Sequence, residues 1–257
     1  MLPLIKSPGR IPKHPRRAIV DAILYVVRSG CSWRQLPVDF PPWQTVYWQF
    51  QQWKKRQVTD RILEELREQV RISEGREPEP SAGIIDSQSV KAADTVGRDT
   101  RGYDAGKKTN GPKRFIVTDT LGLLVVVCVM AASWQGSRRR EDGLVEHLPE
   151  YTNPARFRRS RLRRQAGRLG RRHAQDDSEI VRKPAEQRGC AVHPKGWVVK
   201  RSLAWLTAHR RLVRDYERDP AVSEALIRWA AINTMVRRLE RGGPAARQRR
   251  RLPAAPE

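Results

Sequence analysis

Acidic residues are scarce in this chain. Its 257 residues carry 28 Asp and Glu against 51 Lys and Arg, a formal net charge of +23. That imbalance favours a polyanionic partner, of which nucleic acid is the commonest, but basicity names no reaction. Cysteine is scarcer still: Cys31, Cys128 and Cys190 are far apart, so neither a disulfide framework nor a cysteine zinc site is expected, and buried thiols are. No apolar run approaches the 18 or so residues that span a bilayer, and the opening does not read as a signal peptide, so no membrane association and a cytoplasmic location are expected. Lysine is also rare, 11 against 40 arginines, and from Trp134 to Asp177 there are twelve Arg and no Lys. A skew of that kind fits either a specialised phosphate-binding segment or a GC-rich gene read out of frame.

What is present begins with helix. From Arg16 to Arg28, Ile19, Val20, Ile23, Leu24 and Val27 fall on one face at helical spacing, and Gly30 supplies a C-cap. Pro41-Pro42 opens a second helix in which Trp43, Val46, Tyr47, Phe50 and Trp53 recur every three or four residues and Lys54, Lys55 and Arg56 stand at the end. A third runs from about Thr59 to Ile72. Trp33, Trp43, Trp48 and Trp53 read as core packing rather than as base-stacking platforms. The segment Glu74 to Pro80 reads as a polar linker. The expected domains are a helical DNA-binding-like unit over 1–73, a linker over 74–82, a second domain over 83–240 and a disordered tail over 241–257.

The period changes after the linker. Gly83 to Ile85 reads as a short strand, Arg114 to Thr118 and Leu123 to Met130 as two more, joined through a turn at Asp119-Thr120-Leu121-Gly122. Leu123 to Met130 is apolar on both faces, which predicts a central strand. From Trp197 to Leu239 helix returns, as two amphipathic segments separated by Asp219-Pro220, the first with Leu203, Leu206, His209 and Val213 on its apolar face. The fold class expected is α/β, a mixed-sheet domain preceded by a small helical one.

The most informative stretch is Gly83-Ile84-Ile85-Asp86-Ser87-Gln88-Ser89-Val90-Lys91, which sets a carboxylate at the end of an apolar strand. Position alone favours an aspartate capping its own turn. Together with Gly102-Tyr103-Asp104-Ala105-Gly106-Lys107-Lys108, Trp197-Val198-Val199-Lys200-Arg201-Ser202-Leu203-Ala204-Trp205-Leu206 and Asp215-Tyr216-Glu217-Arg218, it resembles the IS5-family insertion-sequence transposases. The resemblance covers residues 3 to 133 and 179 to 239, and several motifs occur in order.

That resemblance implies an RNase H-like catalytic domain with an Asp, Asp, Glu set, Mg2+ as the cofactor, transposon-end and target DNA as partners, and an N-terminal helical domain that contacts element ends; a homodimer is a further expectation. Cutting and rejoining a DNA backbone uses two divalent ions about 4 Å apart, and Mg2+ takes oxygen ligands, so three carboxylates must converge from different elements. The resemblance makes Asp86 the first, as catalytic residue and metal ligand. Lys91, Lys107, Lys108 and Lys113, with Arg201, Arg210 and Arg211, are the expected DNA contacts, the alternative for the lysine loop being simple solvation. Asp94, Asp99 and Asp104 are expected to be solvated.

Two members of the set are missing. The family's helical Glu falls at Lys200, whose ammonium cannot ligate Mg2+, and Glu217 and Glu224 lie too far along the chain to replace it. The second Asp should fall between Met130 and Glu179 in an Ala-Asp-x-Gly-(Phe/Tyr)-x-Gly context. In its place Arg156 to Arg172 holds nine arginines in seventeen residues and no acid, a composition that an inner strand could not bury. Read with permitted codons and shifted by one base, Phe157 to Gly170 becomes Ser-Ala-Asp-Arg-Gly-Phe-Ala-Gly-Arg-Leu-Val-Asp-Leu, which restores the missing context. Paired frameshifts near Trp134 and Ser178 are therefore expected to bracket an out-of-frame insert over 134–178, and Leu2-Pro3-Leu4-Ile5 resembles the middle of a longer N-terminus. Two functions follow: a DNA transposase by descent with little or no catalysis, or a non-catalytic DNA-binding remnant that holds element ends. No aromatic RNA-binding motif supports an RNA-binding protein.

Overall fold

The computed structural model describes residues 13–133 and 194–242, with side chains in the second segment from residue 196 onward. The expected out-of-frame insert, most of the expected tail and the first twelve residues lie outside the described residues. Helix α1 (Arg16–Ser29) buries Ile19, Ala22, Ile23, Val26 and Val27 and ends at Gly30, whose φ of 77° lets its N–H reach the Val26 carbonyl. A 3-10 turn at Trp33–Gln35 leads to α2 (Trp43–Lys55), which buries Val46, Phe50 and Trp53. Helix α3 (Val58–Ser73) completes the unit. Of the four expected core tryptophans, Trp53 is buried, Trp33 packs edge-on to Tyr47 and Trp43 lies under Arg34. Trp48 is 60% exposed, because it stands on the opposite side of α2 from Val46, Phe50 and Trp53.

Among the described residues four antiparallel strands follow: β1 (Gly83–Ser89), β2 (Gly102–Asp104), β3 (Thr109–Asp119) and β4 (Leu124–Ala131). Strand β3 is the centre, pairing with β1 on one side, with β4 on the other and with β2 at its start. The turn between β3 and β4 closes through Gly122 N–H to Asp119 O at 3.0 Å, with Gly122 at a φ of 83°. The expectation that Leu123 to Met130 forms the central strand is corrected: among the described residues β4 pairs with β3 alone. Its apolar run is buried by helices instead, and Glu224 reaches its free edge to accept the Val129 N–H at 3.0 Å.

Three further helices lie among the described residues: α4 (Pro194–Thr207), the short α5 (Arg210–Val213) and α6 (Pro220–Glu240). Asp219 caps α6 by accepting the Ala221 N–H, with Pro220 at the first helical position, as the sequence suggests. Val213, expected on an apolar face, is 61% exposed, and Leu212 is buried in its stead because the helix breaks at His209 and restarts.

One hydrophobic cluster runs through α1, α2 and α3, the sheet and α4 to α6, with Trp53 against Trp229 at 5.8 Å between ring centroids. The segment read as a linker is tied down at both ends. Arg71 bonds the Glu77 and Glu79 carbonyls and, fully buried, the Asp119 carboxylate at 2.7 Å, while Glu74 pairs with Arg238 at 2.6 Å. No helix among the described residues is long and apolar enough to cross a membrane.

Candidate active site around Asp86

Strand β1 extends past the three residues its apolar run predicts, so Asp86 lies within it, paired with Ile116 on β3, which in turn pairs with Val127 on β4. Residues opposite one another in an antiparallel sheet share a face. Ile116 and Val127 are both 1% exposed, so Asp86 belongs to the face against which the helices pack. The carboxylate is half-buried, and its Oδ1 accepts the Ser87 N–H at 2.7 Å.

Helix α4 packs on β1 and is pinned to the β3–β4 turn. Ser202 Oγ donates to Gly122 O at 2.6 Å and Arg201 Nη2 to Leu121 O at 3.3 Å. Val199 and Leu203 are buried, and Lys200, the position at which the sequence resemblance leads one to expect a third carboxylate, is exposed.

Asp104 corrects an expectation. It is buried rather than solvated: its carboxylate accepts from Ser89 Oγ on β1 and from the Lys107 N–H at 3.1 Å. The hydrogen bond from Ser89, then the one from Lys107, hold its carboxyl below the usual aspartate range. This clamp folds the 104–109 turn back onto β1, and Lys107 Nζ donates to Ser87 O at 3.3 Å, one residue from Asp86. Asp94 and Asp99 are exposed, as expected.

The other expected DNA contacts are spread over the surface. Lys91 and Lys108 are exposed, the latter at a φ of 49°, and Lys113 Nζ sits 5.5 Å from the Phe115 ring centre. Arg201 stacks over Trp205 at 4.7 Å. Arg210 is exposed, whereas Arg211 is engaged by Glu217 at 2.6 Å and by the Cys31 carbonyl at 3.2 Å.

Asp215 is a hub that the sequence reading used only as part of a motif. Its backbone extends the sheet beside Ala92, through Asp215 N–H to Lys91 O and Ala93 N–H to Asp215 O. Its carboxylate takes Ser223 Oγ at 2.7 Å and faces the buried Arg114 guanidinium at 3.5 Å. Gly111 permits the close crossing there, since a Cβ at that position would collide with the backbone of Val90 and Ala92. Neither Asp104 nor Asp215 shows in a period or a spacing, because each is fixed by contacts between segments distant in the chain.

A family model described as "Transposase DDE domain" matches residues 77–235, more than half of the chain. The chain belongs to the DDE transposase family. Residues 1–63 match a second model, "Putative transposase of IS4/5 family". A relative, the "Insertion element IS402 uncharacterized 16.2 kDa protein" of Burkholderia cepacia, is 32% identical over 89 residues, which is 34% of this chain and 58% of that protein. The chain thus spans less than two thirds of that relative's length. No solved structure matches.

The DDE transposase domain implies an RNase H-like fold and dependence on a divalent cation. The described antiparallel sheet and helices agree with the first. The donor set does not fit the second: among the described residues no three His, Cys, Asp or Glu gather where a cation could be held. Lys107 Nζ donates to the carbonyl of Ser87, the residue after Asp86, and the helix packed on β1 bears Lys200. Most of the stretch where a second Asp is wanted, between Met130 and Glu179, lies outside the described residues.

Proposed function

We propose that this chain is an IS5-type insertion-sequence DNA transposase by descent, whose copy no longer cuts DNA. The observation that carries the reading is Lys200, exposed on the helix packed against the Asp86 strand. Asp86 is proposed as the one retained catalytic carboxylate and metal ligand. Two unit charges about 4 Å apart interact by about 4 kcal/mol at an effective dielectric near 20, and a divalent ion roughly doubles that. Exchanging carboxylate for ammonium therefore removes an attraction of that order and installs a repulsion of similar size. No step through a metal ion follows from the described residues.

The exposed Lys91 and Lys108, and Lys107 held on β1, favour a second reading: the chain retains DNA and interferes with an intact transposase. Its sequence-independent affinity would come from phosphate contacts and fall steeply with salt.

Two experiments test these readings. Sequencing the coding DNA is expected to show an open, family-like reading in the shifted frame between codons 134 and 178; a closed frame there discards the out-of-frame origin of the arginine run. A footprint on the element's inverted repeats at moderate salt is expected for the binder, and uniform, salt-labile coverage counts against it.

A further inference from the structure

Of the three helices of the helical unit, α2 alone carries no acidic residue. Helix α3 is unsuited: Glu64, Glu65 and Glu68 line its outer side, Glu64 and Glu65 exposed. Partial burial first, then Glu65 and Glu64, pushes the Glu68 carboxyl up. Helix α1 carries Asp21 on its outer side, 3.5 Å from Arg17. Helix α2 has no acidic residue in its thirteen positions.

At 100° per residue, Gln44, Thr45, Trp48, Gln51, Gln52 and Lys55 fall within one arc of about 120°, opposite Val46, Phe50 and Trp53. Gln44, Thr45, Trp48 and Lys55 are exposed and Gln51 and Gln52 half-exposed. The three glutamine side chains hydrogen-bond to no other group among the described residues, and Trp48 meets no other ring there. Four polar donors and acceptors, one aromatic plane and one cation thus face solvent without partners on a helix face that holds no negative charge.

We infer that α2 is the helix that enters the major groove of duplex DNA, with Gln44, Gln51 and Gln52 reading base edges, Trp48 packing between them and Lys55 gripping a phosphate. This rests on the transposase reading and adds the element and the side chains that would give it sequence preference. The groove admits a single α-helix, and a glutamine side chain pairs in bidentate fashion with adenine N6 and N7. From Gln44 to Lys55 the face is about 16 Å long, enough to follow several base pairs. Arg34 over Trp43 at one end and Arg56 at the other place further cations beside the flanking backbone.

The test uses the full chain. A pool of random-sequence duplexes is bound at moderate salt and the retained fraction sequenced, and the enriched duplex and a scrambled one are then titrated with wild type, a Gln44→Ala/Gln52→Ala variant and a Glu64→Gln/Glu65→Gln control. Wild type is expected to enrich an adenine-containing motif. The glutamine variant, with an unchanged circular dichroism spectrum, is expected to lose about 5- to 150-fold of its preference for that duplex at each lost contact. Its affinity for the scrambled duplex and the salt slope should stay as in wild type, and the α3 control should keep its preference. An undiminished preference in the glutamine variant, or a wild type that holds all duplexes equally, overturns the role of α2 while leaving DNA binding intact. A wild type that holds no duplex even at low salt removes the transposase reading along with it. A dimer that Trp48→Ala dissociates assigns the face to a second copy of the chain and also overturns the inference.

Discussion

His209, between α4 and α5, sets its Nδ1 beside the Trp205 and Leu206 carbonyls, at 3.1 and 3.3 Å, and its Nε2 3.0 Å from Asn233 Nδ2. An Nδ1–H that donates and an Nε2 that accepts require the neutral ring, and burial lowers its pKa below the ordinary histidine value. Because the unfolded chain binds a proton that the native state refuses, stability should fall as pH drops through about 6.5 towards the lowered native pKa. Thermal melts between about pH 7 and pH 5 should show this loss in wild type and a flatter profile in His209→Asn. The pair of Arg114 and Asp215, 3% and 2% exposed, gives a larger effect. Asp215→Ala leaves a buried guanidinium without its counter-charge and should cost about 3–5 kcal/mol in urea unfolding. These residues were not legible as structural hubs in the sequence, since partners such as Ser223 and Leu212 become neighbours only after folding. Trp48 was misread for the opposite reason: its type suggested the core and its helical phase placed it outside.

Among the elements, helices were the most legible, because an apolar face repeats every three or four residues and α1, α2 and α3 end close to where their caps and prolines suggest. Two strands, β1 and β3, were shorter in the reading than in the structure, and β2 was not read as a strand. The polar ends of β1 and β3, Ser87 to Ser89 and Thr109 to Lys113, pair by backbone bonds that leave no hydrophobic mark. The cap of α1 can be tested directly. Gly30→Ala forces a side chain into a positive φ and brings its Cβ 3.0 Å from the Arg210 side chain and 3.1 Å from its backbone. A loss of about 1–3 kcal/mol is expected in chemical denaturation. Asp219→Ala at the start of α6 removes the acceptor for Ala221 and should cost about 1 kcal/mol.

For the whole molecule, the helical unit, sheet and closing helices share one core, so the scaffold of a DDE transposase is held together although its carboxylates are not assembled among the described residues. The family could be read from a few motifs; the clamp by Asp104 that sets Lys107 against the Ser87 carbonyl could not, since it depends on how a turn folds back onto a strand. Incubating the purified full chain with DNA carrying its element's ends, with and without Mg2+, tests the central claim most directly. The account predicts bound DNA that stays uncut at every Mg2+ concentration, and Mg2+-dependent cleavage with repeated turnover would contradict it.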